Sequence, residues 1–231
     1  MPGLDDSYTK ALLHMDGADA SNTFTDESGK IWTPAGSSQI DTAQYKFGGS
    51  SGLFASTYID TPDSDDFNMG SGDFTIDFWM KKAAINTLYR MCGQSDSAAT
   101  VGTRAISIYH NANNTVSCEF FSASGTRSAG TETTIDTNWH HIAGVRYGNT
   151  LKLYLDGIAG PIVGDVTGMT AYNSANKFAI GREGELPNNP FNGWIDELRI
   201  SKGIARWTAN FTPPTREYSP SSGILTPIWF M

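Results

Sequence analysis

Carboxylates, imidazoles and amides decide what chemistry this chain of 231 residues can do, and their spacing narrows it quickly. Glu183 and Glu185 stand two apart in Gly181-Arg182-Glu183-Gly184-Glu185, a loop-like pair. It is a weak signal for glycoside hydrolysis, which needs two acids across one cleft. Asp73 and Asp77 are four apart with no acid between them. His140 and His141 are adjacent on a strand and point to opposite faces, so they cannot share a metal. No H-E-x-x-H, C-x-x-C, G-x-S-x-G or Walker pattern occurs. The acidic run at 60–68 lacks the EF-hand spacing and reads as a solvated loop. The expectation is a protein that is not an enzyme. Two kinds of site remain. By alternation Asp196 shares the phase of Leu198 and Ile200 and points inward. A bare buried carboxylate is prohibitive, so Asp196 needs either a metal or a partner, Arg199 and Arg146 being the cationic candidates. Turn aromatics and amides suit sugar hydroxyls. Tyr109, Asn111 and Asn113, with His110 and Asn114, form one such group, and Tyr172 and Asn173, with Asn176, another. Ordinary turn chemistry is the alternative for both, because Asn favours turns.

Strands must position these groups. Trp139-His140-His141-Ile142-Ala143-Gly144-Val145-Arg146 alternates with period two, and so does Leu151-Lys152-Leu153-Tyr154-Leu155. Tyr147-Gly148-Asn149-Thr150 joins them as a hairpin. The phase that groups Trp139, His141, Ala143 and Val145 makes Trp139 a core residue, whose truncation to Ala would cost about 3–5 kcal/mol. Further strands are expected at 10–15, 31–35, 52–55, 58–60, 74–82, 88–93, 105–109, 115–121, 127–131, 178–181 and 191–201, with one short helical turn at 203–209. Inner rows follow: Ile106 and Ile108; Val116, Cys118 and Phe120; Phe178 and Ile180. The fold class is all-β: two facing antiparallel sheets in a jelly-roll sandwich about 10 Å thick.

Several segments carry a family resemblance. Trp139-His140-His141-Ile142-Ala143 leading to Leu151-Lys152-Leu153-Tyr154-Leu155-Asp156-Gly157 resembles the signature of laminin-G-like domains, within the concanavalin A-like lectin/glucanase fold. So do Gly193-Trp194-Ile195-Asp196-Glu197-Leu198-Arg199-Ile200-Ser201, Phe74-Thr75-Ile76-Asp77-Phe78-Trp79-Met80, and Ala11-Leu12-Leu13-His14-Met15-Asp16-Gly17 followed by Asp26-Glu27-Ser28-Gly29. The resemblance covers residues 9–217, leaving a lead at 1–8 and a spacer and tail at 218–231. It implies one structural calcium ion held by Asp196, Asp16 and the Phe47-Gly48-Gly49-Ser50 turn, with Gly48 giving backbone oxygen. Family-16-type glucanases of this fold use an E-x-D-x-E strand, and no such triplet occurs here, which disfavours a glycoside hydrolase. Stand-alone domains with a similar opening and closing resemble those of bacteriophage head and tail proteins. The resemblance therefore implies a non-enzymatic virion accessory protein, a head decoration or compact tail-tip piece that presents the sandwich to host surface glycans. A stand-alone carbohydrate-binding module of a bacterial surface protein is the alternative.

Composition fits that picture. The net charge of −8 argues against nucleic acid and anionic membrane as partners. Cys92 and Cys118 fall on strands that a third strand separates, so two free buried thiols are expected, in keeping with assembly in a reducing host cytoplasm. The acidic start lacks the apolar core of a secretory signal, and no apolar run is long enough to span a bilayer. Residues 224–231 are almost wholly apolar. Ile228, Trp229 and Phe230 are expected to anchor this end, either on the sandwich itself or on a virion partner and further copies of the chain in a symmetric oligomer. The expected location is the virion surface.

Overall fold

The computed structural model describes residues 6–218. The sixteen strands among them are β1 Thr9–Leu13, β2 Thr33–Ala35, β3 Gln39–Asp41, β4 Ser51–Ala55, β5 Tyr58–Thr61, β6 Phe74–Lys82, β7 Tyr89–Gln94, β8 Ile106–His110, β9 Val116–Ser122, β10 Gly125–Gly130, β11 His140–Tyr147, β12 Thr150–Leu155, β13 Ile158–Ala159, β14 Gly164–Asp165, β15 Phe178–Ile180 and β16 Asn192–Lys202. They form two antiparallel sheets. The nine-stranded sheet runs β13-β12-β11-β6-β16-β4-β3, with β1 beside β16 and β14 beside β12. The seven-stranded sheet runs β10-β9-β8-β7-β15-β5-β2. This is the expected jelly-roll sandwich. No helix among the described residues is long and apolar enough to cross a membrane.

The main core lies between the sheets. Phe74, Ile76, Phe78, Met80, Ile142, Leu151, Leu153, Ile195, Leu198 and Ile200 come from one sheet. Cys92, Ile106, Ile108, Val116, Cys118, Phe120, Phe178 and Ile180 come from the other. Phe74 stacks on Phe120 across the gap at 6.4 Å. Both cysteines are free and buried, on β7 and β9 with β8 between them.

A second, smaller core covers the opposite face of the nine-stranded sheet. Ala143, Val145 and Tyr154 pack there against Trp207, with Ala205 and Phe211. This corrects the phase expected for β11. Ile142 faces the main core, while Ala143 and Val145 face the outer cluster, so the hairpin is buried on both sides. His141 lies on the outer side, ringed by Trp79, Trp207 and Phe211. Trp139 precedes the strand and is only half-buried. Its truncation therefore costs well under the 3–5 kcal/mol of a core tryptophan, about 1 kcal/mol. The segment after β16 makes the difference. Residues 203–209 form no helical turn but an irregular strap, which lays Trp207 on the sheet.

The strap ends in a buried ionic network. Asp77 on β6 accepts from Arg199 Nε and Nη2 of β16 at 3.1 and 3.2 Å and from the Tyr218 hydroxyl. The Arg199 guanidinium lies 3.8 Å from the Tyr218 ring. Asp77 and Arg199 are both fully buried.

A second buried polar group sits at the end of β6. Lys82 Nζ donates to His110 Nε2 at 2.8 Å and to Asn114 Oδ1 at 2.9 Å, and His110 Nδ1 donates to the Thr87 carbonyl at 2.8 Å. Both residues are fully buried. Burial, with the Lys82 charge, pushes His110 down from 6.5 to about 4. The folded state then stays neutral while the unfolded chain takes a proton. Stability contributed by neutral His110 is lost as pH falls from 6.5 to about 4, by about 3 kcal/mol. Denaturant melts of the parent and His110→Gln at pH 7 and pH 4 check this, with the variant expected to show the smaller acid loss. An equal loss in both would remove His110 from the account.

Candidate functional sites: a carboxylate cradle and a pocket on the seven-stranded sheet

The first site is built where β1 ends and β16 begins to bend. Register slips between Asp196 and Arg199, and Glu197 takes a left-handed φ of 52°. This bulge reverses the phase. Ile195 and Leu198 face the main core, and Asp196 turns to the outer side, next to Trp79 of β6. Asp196 is fully buried, as alternation suggested, but on the other face and beside neither Arg199 nor Arg146. Its Oδ2 accepts from the backbone amides of Lys46 and Phe47 at 2.7 and 3.1 Å. Its Oδ1 is buried without a hydrogen-bond partner. Burial, with Glu197 and Asp16 adding repulsion, lifts its carboxyl to about 8.

Asp16 and the expected turn come to the same place. The Asp16 carboxylate rests against Gly48, where a Cβ would lie 2.1 Å from its Oδ1. Gly48 has φ +60°, so both backbone and space there favour glycine. Burial and the nearby Glu217 raise the Asp16 carboxyl. Ser50 Oγ ties the turn to the segment after β1 by donating to the Met15 carbonyl at 3.2 Å. His14 Nδ1 pairs with Glu197 at 2.7 Å, and the Tyr218 amide donates to the other Glu197 oxygen at 2.8 Å. Among the described residues no three His, Cys, Asp or Glu side chains converge as a metal-ligand set. A cation here would lean on backbone carbonyls and water, as calcium does. The orphaned Asp196 oxygen fits such an ion.

The second site lies on the face of the seven-stranded sheet turned away from the core. Gly93 leaves room for the Glu183 side chain, whose Cγ lies 3.1 Å from the position a Cβ would take. Glu183 is fully buried and accepts from Arg90, from Arg104 Nη2 at 2.9 Å and from Ser107 Oγ at 2.8 Å. Arg104 Nε also donates to it, and Arg104 Nη2 reaches Glu119 at 3.4 Å. Beyond this network a cavity of about 270 Å³ opens between the 99–102 loop, the β9–β10 hairpin and Tyr172. Phe121 floors it beneath the Arg104 guanidinium, 3.9 Å from the ring.

The two expected sugar-binding groups lie at separate places on the sheet. Asn111 and Asn113 sit in the β8–β9 turn, Asn111 bonded to Thr115 and Ser117 and Asn113 to Thr115. Tyr109 stands beside the same turn, opposite Ser117, and donates to Glu119 at 3.2 Å; burial, with that carboxylate, raises its hydroxyl to about 12. Tyr172 and Asn173 lie at the far end of β9, where Ala171 bridges Ser122. Seven strand residues, roughly 20 Å, separate the two groups. Only Tyr172 of the five lines the cavity. Arg104 and Phe121 were missed, and nothing in their local sequence marks them. Glu183 was visible as half of an acidic pair. Ile228, Trp229 and Phe230 lie outside the described residues.

Comparisons agree with this architecture. Domain 4 of the extracellular arabinanase AbnA from Geobacillus stearothermophilus, solved with arabinotriose, superposes with TM-score 0.62 at 19% identity over 87% of this chain and 95% of that one. The binding domain of Paraclostridial Mosquitocidal Protein 1 gives TM-score 0.65 at 16% identity, over 85% of this chain and 49% of that one. The ligand-binding domain of botulinum neurotoxin serotype D, solved with N-acetylneuraminic acid, gives 0.61 at 13% identity, over 86% and 48%. This chain thus spans about half the length of the two toxin domains. No curated protein matches the chain. The family Laminin_G_3, described as concanavalin A-like lectin/glucanases superfamily, matches residues 52–206, and the chain belongs to it.

Proposed function

We propose that this protein binds carbohydrate through the cavity beside Tyr172 and does no chemistry on it. The observation that carries the reading is the cavity itself, an aromatic floor and wall with one guanidinium and hydroxyl groups around it. Sugar sites combine such stacking surfaces with a few fixed polar groups. Similar folds have been solved with arabinotriose and with N-acetylneuraminic acid. Hydrolysis is disfavoured by the state of the best-placed acid. Both Glu183 oxygens are engaged by arginine, and the residue is closed to solvent, so it has no free oxygen to protonate or attack a glycosidic bond. Affinity electrophoresis in gels containing plant and bacterial polysaccharides tests the reading. The protein is expected to be retarded by at least one of them without releasing reducing sugar. Release of sugar would make it a hydrolase and overturn the proposal.

The setting of this activity is a virion surface, with the sandwich facing outward. The apolar sequence at 224–231 supports attachment at that end, through Ile228, Trp229 and Phe230, to particle proteins or to further copies. Light scattering on the full chain and on a version ending at Ser219 is expected to show oligomers for the full chain alone. Identical monomers would favour the carbohydrate-binding module of a bacterial surface protein instead. A structural calcium ion at Asp196, Asp16 and the Gly48 turn completes the proposal; it would steady the site's scaffold and take no part in binding the sugar.

A further inference from the structure

The outer face of the seven-stranded sheet is not an open trough. Its middle is filled by Glu183, Arg90, Arg104 and Ser107, and the carboxylate at the centre is sealed from water. A polysaccharide lying along the sheet would have to cross that network. The cavity begins only beyond it, and its other walls are the 99–102 loop, the β9–β10 hairpin and Tyr172. The loop is fixed by its own bonds. Asp96 Oδ1 accepts from the amides of Ala98 and Thr100 at 3.1 and 2.8 Å, and Thr103 Oγ1 donates to the Thr100 carbonyl at 2.7 Å. The result is a preformed depression with a wall on the side where a chain would continue. At about 270 Å³ it lies at the small end of ligand sites, which suits one sugar unit.

The charge of the ligand follows from Arg104, the one charged side chain in the lining. Its Nε and Nη2 already serve Glu183 and Glu119. An anion entering the cavity would meet a guanidinium with two carboxylates behind it, on a chain of net charge −8. Neutral groups find better partners: the Tyr172 ring, the hydroxyls of Thr100 and Thr126, and the Arg104 Nη1, which carries none of the described hydrogen bonds.

We infer that the cavity takes the terminal, uncharged unit of a glycan chain end-on, with Tyr172 as its stacking surface. This rests on the carbohydrate-binding reading above and adds to it which part of the chain is read and with what charge.

The experiment uses the full chain and immobilised oligosaccharides in matched pairs. One member of each pair ends in a neutral hexose or pentose, and the other carries the same chain capped with N-acetylneuraminic or glucuronic acid. Neutral ends are expected to bind, and capping to weaken binding about tenfold or more. Tyr172→Ala is expected to lose about tenfold on the neutral ends, and Ala123→Trp, at an exposed position on the rim, to lose as much without touching the core. Equal or tighter binding of capped chains would overturn the inference and leave the carbohydrate reading standing. So would unchanged binding by folded Tyr172→Ala and Ala123→Trp, because the site would then lie elsewhere. Absence of binding to every chain would remove both.

Discussion

Replacing Asp77 by Ala is expected to lower the free energy of unfolding by about 3–5 kcal/mol. Truncation leaves the Arg199 guanidinium fully buried with no counter-charge and deprives the Tyr218 hydroxyl of its acceptor. Burial alone would raise the Asp77 carboxyl, but the Arg199 charge, the His141 ring 3.6 Å away and the bond from the Tyr218 hydroxyl hold it at about 2. A carboxyl held below its ordinary value stabilises the fold at neutral pH, and that contribution is lost as pH falls from 3.8 towards 2. Urea melts of Asp77→Ala and of the double variant Asp77→Leu/Arg199→Met separate charge from packing. The double variant is expected to recover most of the loss, since the isolated charge is what costs. If it is as unstable as the single variant, the network acts by shape and the electrostatic account fails.

Calcium is expected to raise the melting temperature at pH 8 by several degrees and by much less at pH 5. The sign comes from Asp196, whose carboxyl stands at about 8 against an ordinary 3.8. In the absence of a cation the folded protein keeps a proton that the unfolded chain releases, so stability falls as pH rises from about 4 to 8. The penalty at pH 8 is on the order of 5 kcal/mol. A cation at the orphaned Oδ1 would take the place of that proton, and the two would compete as pH falls. Asp196→Asn is expected to be more stable than the parent at pH 8 without calcium and to gain nothing when calcium is added. Thermal melts across pH 5–8, with calcium or chelator, read both effects. A calcium response that survives in Asp196→Asn would place any ion elsewhere.

Much of the architecture was legible because the long strands carry strong patterns. Phe74–Lys82, His140–Tyr147 and Thr150–Leu155 have the bounds their alternation gives. The short strands Gln39–Asp41, Ile158–Ala159 and Gly164–Asp165 were not visible, since two or three residues at a sheet edge show no period. Alternation also failed to say which face of β11 meets the main core. Its premise is one buried face and one wet face, and the strap with Trp207 and Phe211 removes the wet one. The Asp196 error has a different source, because one left-handed residue at Glu197 resets the strand's parity and Glu carries no preference for that conformation. Asp16, Gly48 and Asp196 still came together, since the resemblance placed them by segment and not by phase. The two sugar-binding groups, some sixty residues apart in sequence, lie at opposite ends of β9, while the cavity draws its wall from three distant segments.

The pairing of β1 with β16 fixes when this protein can finish folding. Thr9 meets Ser201, and Leu13 meets Leu198, nearly a whole chain length away. During synthesis the first strand leaves the ribosome long before its neighbour exists, and it waits with Leu12 and Leu13 uncovered. The central strand β6 likewise gains its β16 partner only after more than a hundred further residues have been made. Closure must therefore wait until β16 has emerged, through contacts of high sequence separation, and folding should be slow for a domain of this size. The interval before closure is when an unprotected sheet edge is most open to aggregation and to chaperones.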